Sequence, residues 1–249
     1  MLVLLPPSET KRAGGSRHVL DPPALALPQL AREREATIDA LVALSQDPDA
    51  AAKVLKLSAT QLDEIMVNAE IRTAPTMPAV DRYTGVLYDA LDAASLGSAG
   101  RRWLGAHVLI HSAPFGPVRA LDRVPAYRLA AAASLPGLPP LRRLWGAAVT
   151  EALAAASAPF ILDLRSEAYV ALGPVPSSVP SVYVRVVSES ESGAVRALNH
   201  FNKRAKGALV RSLAEARPRV SSRAGLVRWL DAAGHRVREG ESGELELFA

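Results

Sequence analysis

The sequence lacks cysteine altogether and contains few aromatic residues. Without cysteine there is no disulfide framework, no thiolate zinc site, no cysteine-held iron–sulfur cluster and no cysteine nucleophile. Aromatic residues make up 5% of the 249 residues, which argues against a stacking platform for single-stranded nucleic acid. If the protein binds nucleic acid, a duplex held by its phosphates is the better hypothesis.

Long hydrophobic runs are missing as well. The first apolar run, Leu2–Leu5, is stopped by Pro6 and Pro7 and has no basic leader, so it predicts neither a signal peptide nor a membrane span. We therefore expect a cytoplasmic protein. Hydrophobic residues make up 49% of the chain and charged residues 22%, a balance that favours a sizeable core over a disordered or fibrous chain.

The basic residues are concentrated in the last third of the chain. Residues 196–238 hold eleven lysines and arginines against two acids, Glu215 and Asp231, a local charge of +9 in a chain whose net charge is +4. The remainder therefore carries −5. A basic lobe of this kind can hold phosphates, although a solvated arginine-rich surface is the open alternative.

Apolar patterning predicts a mixed α/β (α+β) fold with a small mixed sheet and surrounding helices. Strands are predicted at 2–5, 107–111, 160–164 and 181–187. Helices are predicted at 30–45, 50–57, 59–71, 80–92, 141–157, 194–216 and 221–233. We see no clear linker, and therefore expect a single domain over residues 1–249, with 28–75 as a candidate helical subdomain.

Polar loops follow three of the predicted strands. The first loop carries Ser8, Glu9, Thr10 and Lys11, the second Arg119, Asp122, Tyr127 and Arg128, and the third Ser166, Glu167 and Tyr169. Ligand sites of α/β sheets form at the carboxyl ends of strands, so the three loops predict a common cleft. A proline-fixed turn in the first loop and an internal Arg–Asp network in the second remain open alternatives.

Two helical features suggest contacts to phosphate. Residues 50–71 predict two short helices joined at 55–58, where Lys56 is a candidate phosphate contact of a helix-hairpin-helix module. The usual hairpin glycine is missing, and an ordinary helical hairpin is the alternative. The predicted helix 194–216 has a basic face that is either solvated or bound to phosphate. That face consists of Lys203, Arg204, Lys206 and Arg211.

Other chemistries have little support in the sequence. There is no G-x-S-x-G motif and no spacing typical of a catalytic triad, and His107 and His111 fit core positions better than a metal site. We expect no metal and no cofactor. The alternative to DNA binding is an enzyme that acts on a nucleotide or nucleobase in the common cleft at the strand ends, with Asp122 or Glu167 as acid/base and Ser166 as a further candidate catalytic residue. A small phosphorylated compound is the other ligand that such a cleft could hold.

Several short segments, taken in order, resemble the YaaA peroxide-stress protein family. The segments are 1–11, Leu57-Ser58 with Asn68, Tyr83-Thr84-Gly85, 116–129, Trp145, 164–169 and 201–207. The resemblance implies a mixed α/β domain with an embedded helix-hairpin-helix and a basic cleft that binds double-stranded DNA. It also implies a cytoplasmic role in limiting peroxide damage by keeping free iron low, without a settled enzymatic reaction.

The resemblance and the basic patterning together give two groups of candidate residues. The DNA- or phosphate-binding group is Lys11, Lys56, Arg119, Arg128, Lys203, Arg204, Lys206 and Arg211. The cleft group is Ser8, Thr10, Tyr83, Gly85, Gly116, Asp122, Tyr127, Ser166, Glu167, Tyr169 and Gly207. The sequence departs from the family pattern in its first motif, which has Pro-Pro-Ser-Glu-Thr-Lys where Ser-Pro-Ala-Lys-Thr is usual, and we therefore expect a divergent branch.

Overall fold

The computed structural model describes residues 1–189, 195–196 and 199–248. These residues form a mixed α/β fold, which confirms the predicted fold class. The strands are β1 Leu2–Leu5, β2 Met77–Pro78, β3 Val108–Ser112, β4 Gly116–Arg119, β5 Arg123–Val124, β6 Ile161–Asp163, β7 Ser181–Glu189, β8 Val195–Arg196, β9 Val237–Glu239 and β10 Leu245–Phe248. The helices are α1 Ala31–Leu44, α2 Pro48–Leu55, α3 Asp63–Ala69, α4 Ala79–Arg82, α5 Val86–Leu91, α6 Ser98–His107, α7 Leu141–Ala155, α8 Glu167–Val170, α9 Asn199–Ala216 and α10 Arg223–Ala232.

The main sheet has a parallel centre and antiparallel edges. Its strand order is β4-β3-β1-β6-β7-β10-β9, with β8 paired to β7, and β2 pairs with β5 in a separate ribbon. In the register of the centre, Leu4 lies between Leu109 of β3 and Asp163 of β6. All four residues of β1 are buried, as expected for a parallel strand covered on both faces. The carboxyl ends of β1, β3 and β6 are therefore neighbours.

The structure shifts several predicted boundaries. The predicted helix 80–92 is interrupted, and α4 and α5 are separated by Tyr83-Thr84-Gly85, where Gly85 has a φ of 90°. That backbone conformation suits glycine and ends the helical path. Of the predicted helix 194–216, α9 accounts for the residues from Asn199 onwards, residues 195–196 form β8, and residues 194, 197 and 198 lie outside the described part of the chain.

Two glycines allow close packing around the sheet. A Cβ on Gly207 of α9 would lie 2.1 Å from the carbonyl oxygen of Leu87, so only glycine permits α9 to lie this close to α5. Gly116 has a φ of 63°, and a Cβ there would lie 2.9 Å from the ring of Trp145. Trp145 is fully buried and donates its indole N–H to the Ala113 carbonyl at 3.1 Å. Two of the three candidate cleft glycines, Gly116 and Gly207, thus have a packing role.

Two buried arginines fasten the long loops. The Arg34 guanidinium donates to the carbonyl oxygens of Phe115, Ala26 and Pro117. The Arg82 guanidinium donates to the carbonyl oxygens of Arg12, Gly14, Pro75 and Val124. Backbone carbonyls, rather than carboxylates, accept the hydrogen bonds of these cations. Nη1 of Arg34 has no hydrogen-bond partner among the described residues. In the described part of the chain, no helix is long and apolar enough to cross a bilayer.

Candidate functional site

The strand-end site forms where β1, β3 and β6 end side by side. The loop after β1 crosses to the junction of α4 and α5, where Lys11 and Tyr83 form an isolated antiparallel bridge. The loop after β5 brings Tyr127 to the same place, since its hydroxyl lies 2.9 Å from that of Tyr83. The predicted convergence of the first two loops is therefore present in the structure. We define the strand-end site as Ser8, Thr10, Lys11, Tyr83, Thr84, Tyr88, His111, Tyr127, Arg128, Asp163, Arg165 and Tyr169.

Lys11 is the cation at the centre of this site. Its Nζ donates to the carbonyl oxygens of Ser8 at 3.0 Å and Glu9 at 3.1 Å, and lies 4.1 Å from the ring centroid of Tyr127. Burial lowers the Lys11 pKa to about 7, and the nearby Arg128 adds to this effect while Glu64 and Glu9 oppose it. The amine is therefore close to half protonated at neutral pH, and an incoming anion would favour its charged form.

Four of the five tyrosines of the chain belong to the strand-end site. Besides the Tyr83–Tyr127 pair, Tyr88 donates its hydroxyl to the Pro6 carbonyl at 2.8 Å, and its ring lies 5.2 Å from that of Tyr83. The ring of Tyr169 lies 5.9 Å from the imidazole of His111. Burial raises the pKa of all four phenols. They stay protonated at physiological pH and supply hydroxyl dipoles rather than charge.

A group of hydroxyls forms the exposed mouth of the site. Thr84 Oγ1 donates to Thr10 Oγ1 at 2.9 Å, and Ser8 Oγ lies 3.3 Å from the same atom. Gly85 leaves this mouth open, because a Cβ there would lie 3.4 Å from Ser8 Oγ and 3.5 Å from Thr10 Oγ1. Hydroxyls that bond to one another keep spare donor and acceptor capacity for a ligand.

A buried ion pair forms the floor beneath the third loop. The Arg165 guanidinium binds both carboxylate oxygens of Asp163, at 2.9 and 2.7 Å, and donates to Nδ1 of His111 at 2.9 Å. Burial and the adjacent Arg165 hold the His111 pKa well below its usual range. The imidazole is thus neutral with its proton on Nε2, and this nitrogen has no hydrogen-bond partner among the described residues.

Helix α9 reaches the same edge of the sheet through Lys206. The Lys206 side chain is buried, with its Nζ 3.4 Å from the Arg165 carbonyl and 5.4 Å from the ring centroid of Tyr183. Burial lowers its pKa to about 8, an effect that Asp163 opposes. One turn earlier, Lys203 and Arg204 are exposed, and neither side chain has an ion pair or hydrogen bond within the described part of the chain.

The helical hairpin packs beside the strand-end site. The Asn68 side chain of α3 donates to the Arg128 carbonyl at 2.9 Å and accepts from the Arg128 amide at 2.7 Å. At the hairpin itself, Lys56 is exposed and has a φ of 54°, the conformation that the missing glycine would favour. The amides of residues 56–58 are bonded to Lys53, Ala52 and Gln61 within the hairpin. The helix-hairpin-helix module remains a prediction, with Lys56 as its exposed cation.

Other predicted residues have partners elsewhere in the fold. Arg119 donates to the carbonyls of Gly105 and Ala106 at the end of α6, and Asp122 accepts the amides of Ala26 and Arg119. Arg211 of α9 bonds to the carbonyls of Leu91 and Asp92 and to Glu215. Such contacts hold loops and helix ends in place. For the second loop they agree with the alternative of an internal network around Arg119 and Asp122. Ser166 and Glu167 are exposed at the start of α8, with Glu167 3.5 Å from Arg185.

Sequence reasoning missed several polar members of the site. The sequence patterns assign no role to Tyr88 or Arg165, and they predict a core position for His111. A signal exists for Tyr127 and Tyr169, which lie in loops that follow predicted strands, but not for Tyr88, which lies within the predicted helix 80–92. No comparable signal exists for Arg165, whose partners His111 and Gly173 come from other parts of the chain. Among the described residues there is no group of three acidic or histidine side chains suited to a metal ion.

Fold and site together define a mixed α/β protein with a lysine–tyrosine site at the carboxyl edge of its parallel strands. The sequence model described as peroxide stress protein YaaA matches residues 1–240. The chain belongs to this family, which confirms the resemblance found in its segments. Membership supports a role in peroxide stress.

Relatives of similar length extend the likeness over almost the whole chain. A UPF0246 protein of Corynebacterium efficiens is 47% identical over 231 residues, which cover 91% of this chain and 90% of the relative. A UPF0246 protein of Corynebacterium glutamicum is 41% identical over 243 residues, covering 96% and 95%. One from Streptomyces coelicolor is 41% identical over 239 residues, covering 95% and 92%.

Proposed function

We propose that this protein acts in the cytoplasm during peroxide stress by binding double-stranded DNA without sequence preference, and so limits oxidative damage linked to free iron. The link to iron comes from the family resemblance. The DNA-binding part rests on one observation, the pair of exposed cations Lys203 and Arg204 on α9, which have no partner in the described residues. Cations of this kind gain most from a phosphate, because no internal ion pair has to break first.

The position of this pair favours a contact surface at the strand-end edge. Lys206, one turn further along α9, lies against the Arg165 carbonyl just after β6, so this part of α9 lies beside the strand-end site. On the other side of that site, Arg128 is only weakly paired, with its guanidinium 3.9 Å from Glu9. We infer that a duplex lying across this edge would contact Lys203, Arg204 and Arg128. Lys56 would contact it from the hairpin.

The decisive test is binding of the purified protein to a random-sequence duplex across a salt series, comparing the parent with a K203Q/R204Q variant. Each neutralised phosphate contributes roughly 0.9 to the slope of log affinity against log salt concentration. We therefore expect this slope to be shallower by about one to two in the variant, and its affinity for unrelated duplexes to fall by similar factors. The matched control is R142Q/R143Q, which removes two exposed arginines of α7 that have no partner in the described residues. Unchanged affinity and slope in K203Q/R204Q would overturn the proposal.

A second candidate function, an enzyme acting on a nucleotide or nucleobase, is favoured by Lys11. An amine with a pKa of about 7, packed on Tyr127 beside three hydroxyls, is suited to proton transfer or to holding a phosphate. The same salt series, with free nucleotides as competitors, separates the two functions. If only another duplex displaces the labelled duplex, DNA binding is supported. If the parent binds no duplex at low salt but binds a nucleotide, and K11M loses that nucleotide binding, the enzyme is supported.

A further inference from the structure

A cavity lies at the opposite edge of the sheet, where the parallel strands begin. It encloses about 450 Å³ between the end of α6 and the segment that joins α9 to α10. We call it the amino-edge pocket, and it is lined by Met1, Trp103, His107, Arg217, Pro218, Arg219, Val220 and Ser221. A volume of this size suits a small organic molecule.

The lining of the amino-edge pocket carries positive charge without a balancing carboxylate. Arg217 and Arg219 are both exposed, and neither guanidinium has an ion pair or hydrogen bond in the part of the chain that the structure describes. Ser221 adds a hydroxyl. Two forked donor groups and a hydroxyl around one cavity form a site for an oxyanion, and the planar guanidinium matches phosphate oxygens well.

An aromatic pair forms another wall of the pocket. The rings of Trp103 and His107 lie 4.8 Å apart at 33° to each other. His107 Nδ1 donates to the Met1 carbonyl at 2.9 Å, which fixes the imidazole against the indole. A flat ring that enters the pocket would find a π surface beside the two arginines.

The backbone of Arg217 gives an independent reason to assign its guanidinium a function. Arg217 has a φ of 51° at the end of α9 and directly precedes Pro218. Glycine or asparagine suits this left-handed position best, and a following proline drives the residue before it towards an extended conformation. The sequence therefore places an arginine where the backbone favours a small residue, a kind of local strain that is concentrated at functional sites.

We propose that the amino-edge pocket binds a small organic phosphate that carries a planar ring, with the phosphate between Arg217 and Arg219 and the ring against the Trp103–His107 pair. This site is separate from the strand-end site and does not depend on the proposed DNA binding. A nucleoside monophosphate has the required size and chemistry.

The test is calorimetric titration of the full chain with AMP, adenosine and inorganic phosphate, for the parent and for an R217N/R219Q variant. Asparagine tolerates the left-handed backbone, so the variant removes both charges and keeps the fold, and its melting temperature should not fall. We expect saturable AMP binding with one molecule per chain, at least about tenfold weaker in R217N/R219Q because charge-assisted hydrogen bonds are lost. The control R142Q/R143Q should bind AMP as the parent does.

The proposal would be overturned by absence of saturable AMP binding by the parent, by parent-like AMP affinity in R217N/R219Q, or by adenosine binding as tightly as AMP. Inorganic phosphate that binds as tightly as AMP would also contradict it, because the ring would then have no part in recognition.

Discussion

The guanidinium of Arg165 joins three parts of the strand-end site. It donates two hydrogen bonds to the Asp163 carboxylate, one to Nδ1 of the neutral His111 imidazole, and one to the Gly173 carbonyl at 2.8 Å. Both members of the ion pair are buried. Removing one partner of such a pair leaves an uncompensated charge in a region that water does not reach.

We therefore predict that R165M destabilises the protein by about 3–5 kcal/mol. The D163L/R165M double variant should recover much of this loss, since two apolar side chains leave no buried charge. Urea denaturation of the two variants and of R142M, an exposed arginine of α7, measures the difference. A double variant less stable than R165M would show that the cost lies in lost packing rather than in the unpaired charge.

At the scale of residues, the sequence allowed the prediction of loop positions but not of long-range partners. Ser8, Thr10 and Lys11 follow a strand that is recognisable from its apolar run, so their place at the strand-end edge was predictable. Tyr127 and Tyr169 were expected in the same cleft. The Lys11 contact with the Tyr127 ring and the neutral state of His111 depend on burial created by the whole fold, which no local pattern encodes.

Helix α9 packs tightly against α5. It depends on Gly207, where a Cβ would lie 2.1 Å from the Leu87 carbonyl and 3.0 Å from the Ala90 Cβ. Backbone atoms cannot move aside as a flexible side chain can. The position of α9 beside the strand-end site therefore depends on the absence of a side chain at residue 207.

We predict that G207A destabilises the protein by about 1–3 kcal/mol, since overpacking forces the two helices apart. The matched control is G146A in α7, where a Cβ would have no neighbour within 4 Å, and alanine there should stabilise by up to about 1 kcal/mol because of its higher helix propensity. Thermal unfolding followed by circular dichroism measures both. Equal melting temperatures for the two variants would refute the packing role of Gly207.

At the scale of elements, the parallel strands β1, β3, β6 and β7 were predictable, whereas the edge strands β4 and β9 and the interior strand β10 were not. β1 is a short continuous apolar run and β6 is apolar up to Asp163, close to the pattern of a parallel strand buried on both faces. β4 begins with Gly116-Pro117, residues that disfavour strands, and β9 is Val-Arg-Glu with both charged residues exposed. These segments become strands because a neighbouring strand offers its open edge, which is tertiary information.

For the whole molecule, the shifted ionisations add up to a definite pH dependence of stability. Burial lowers the pKa of Lys11 to about 7 and that of Lys206 to about 8, against 10.5 for an ordinary lysine. From neutral pH to about pH 10 the unfolded chain therefore holds protons that the native state has released, and stability rises with pH. Above the ordinary tyrosine pKa of 10.0, the buried phenols keep protons that the unfolded chain loses, and stability falls.

We predict that the free energy of unfolding, measured by urea denaturation at a series of pH values, reaches its maximum on the alkaline side of neutrality. In a K11M/K206M variant the rise above neutral pH should become shallower, because the two shifted lysines are gone. K53M, which removes an exposed lysine of α2, should keep the parent profile. A parent protein whose stability declines steadily from neutral pH upward would contradict these lysine shifts.

The strand order has a consequence for the synthesis of the chain. β10 follows every other described strand in sequence, yet it lies between β7 and β9 and is paired on both sides. While the ribosome is still adding residues 190–244, β7 has an open edge on the side that β10 will occupy. An unpaired strand edge recruits other chains, so the nascent protein passes through a period of vulnerability that ends only when residues 245–248 emerge and complete the sheet.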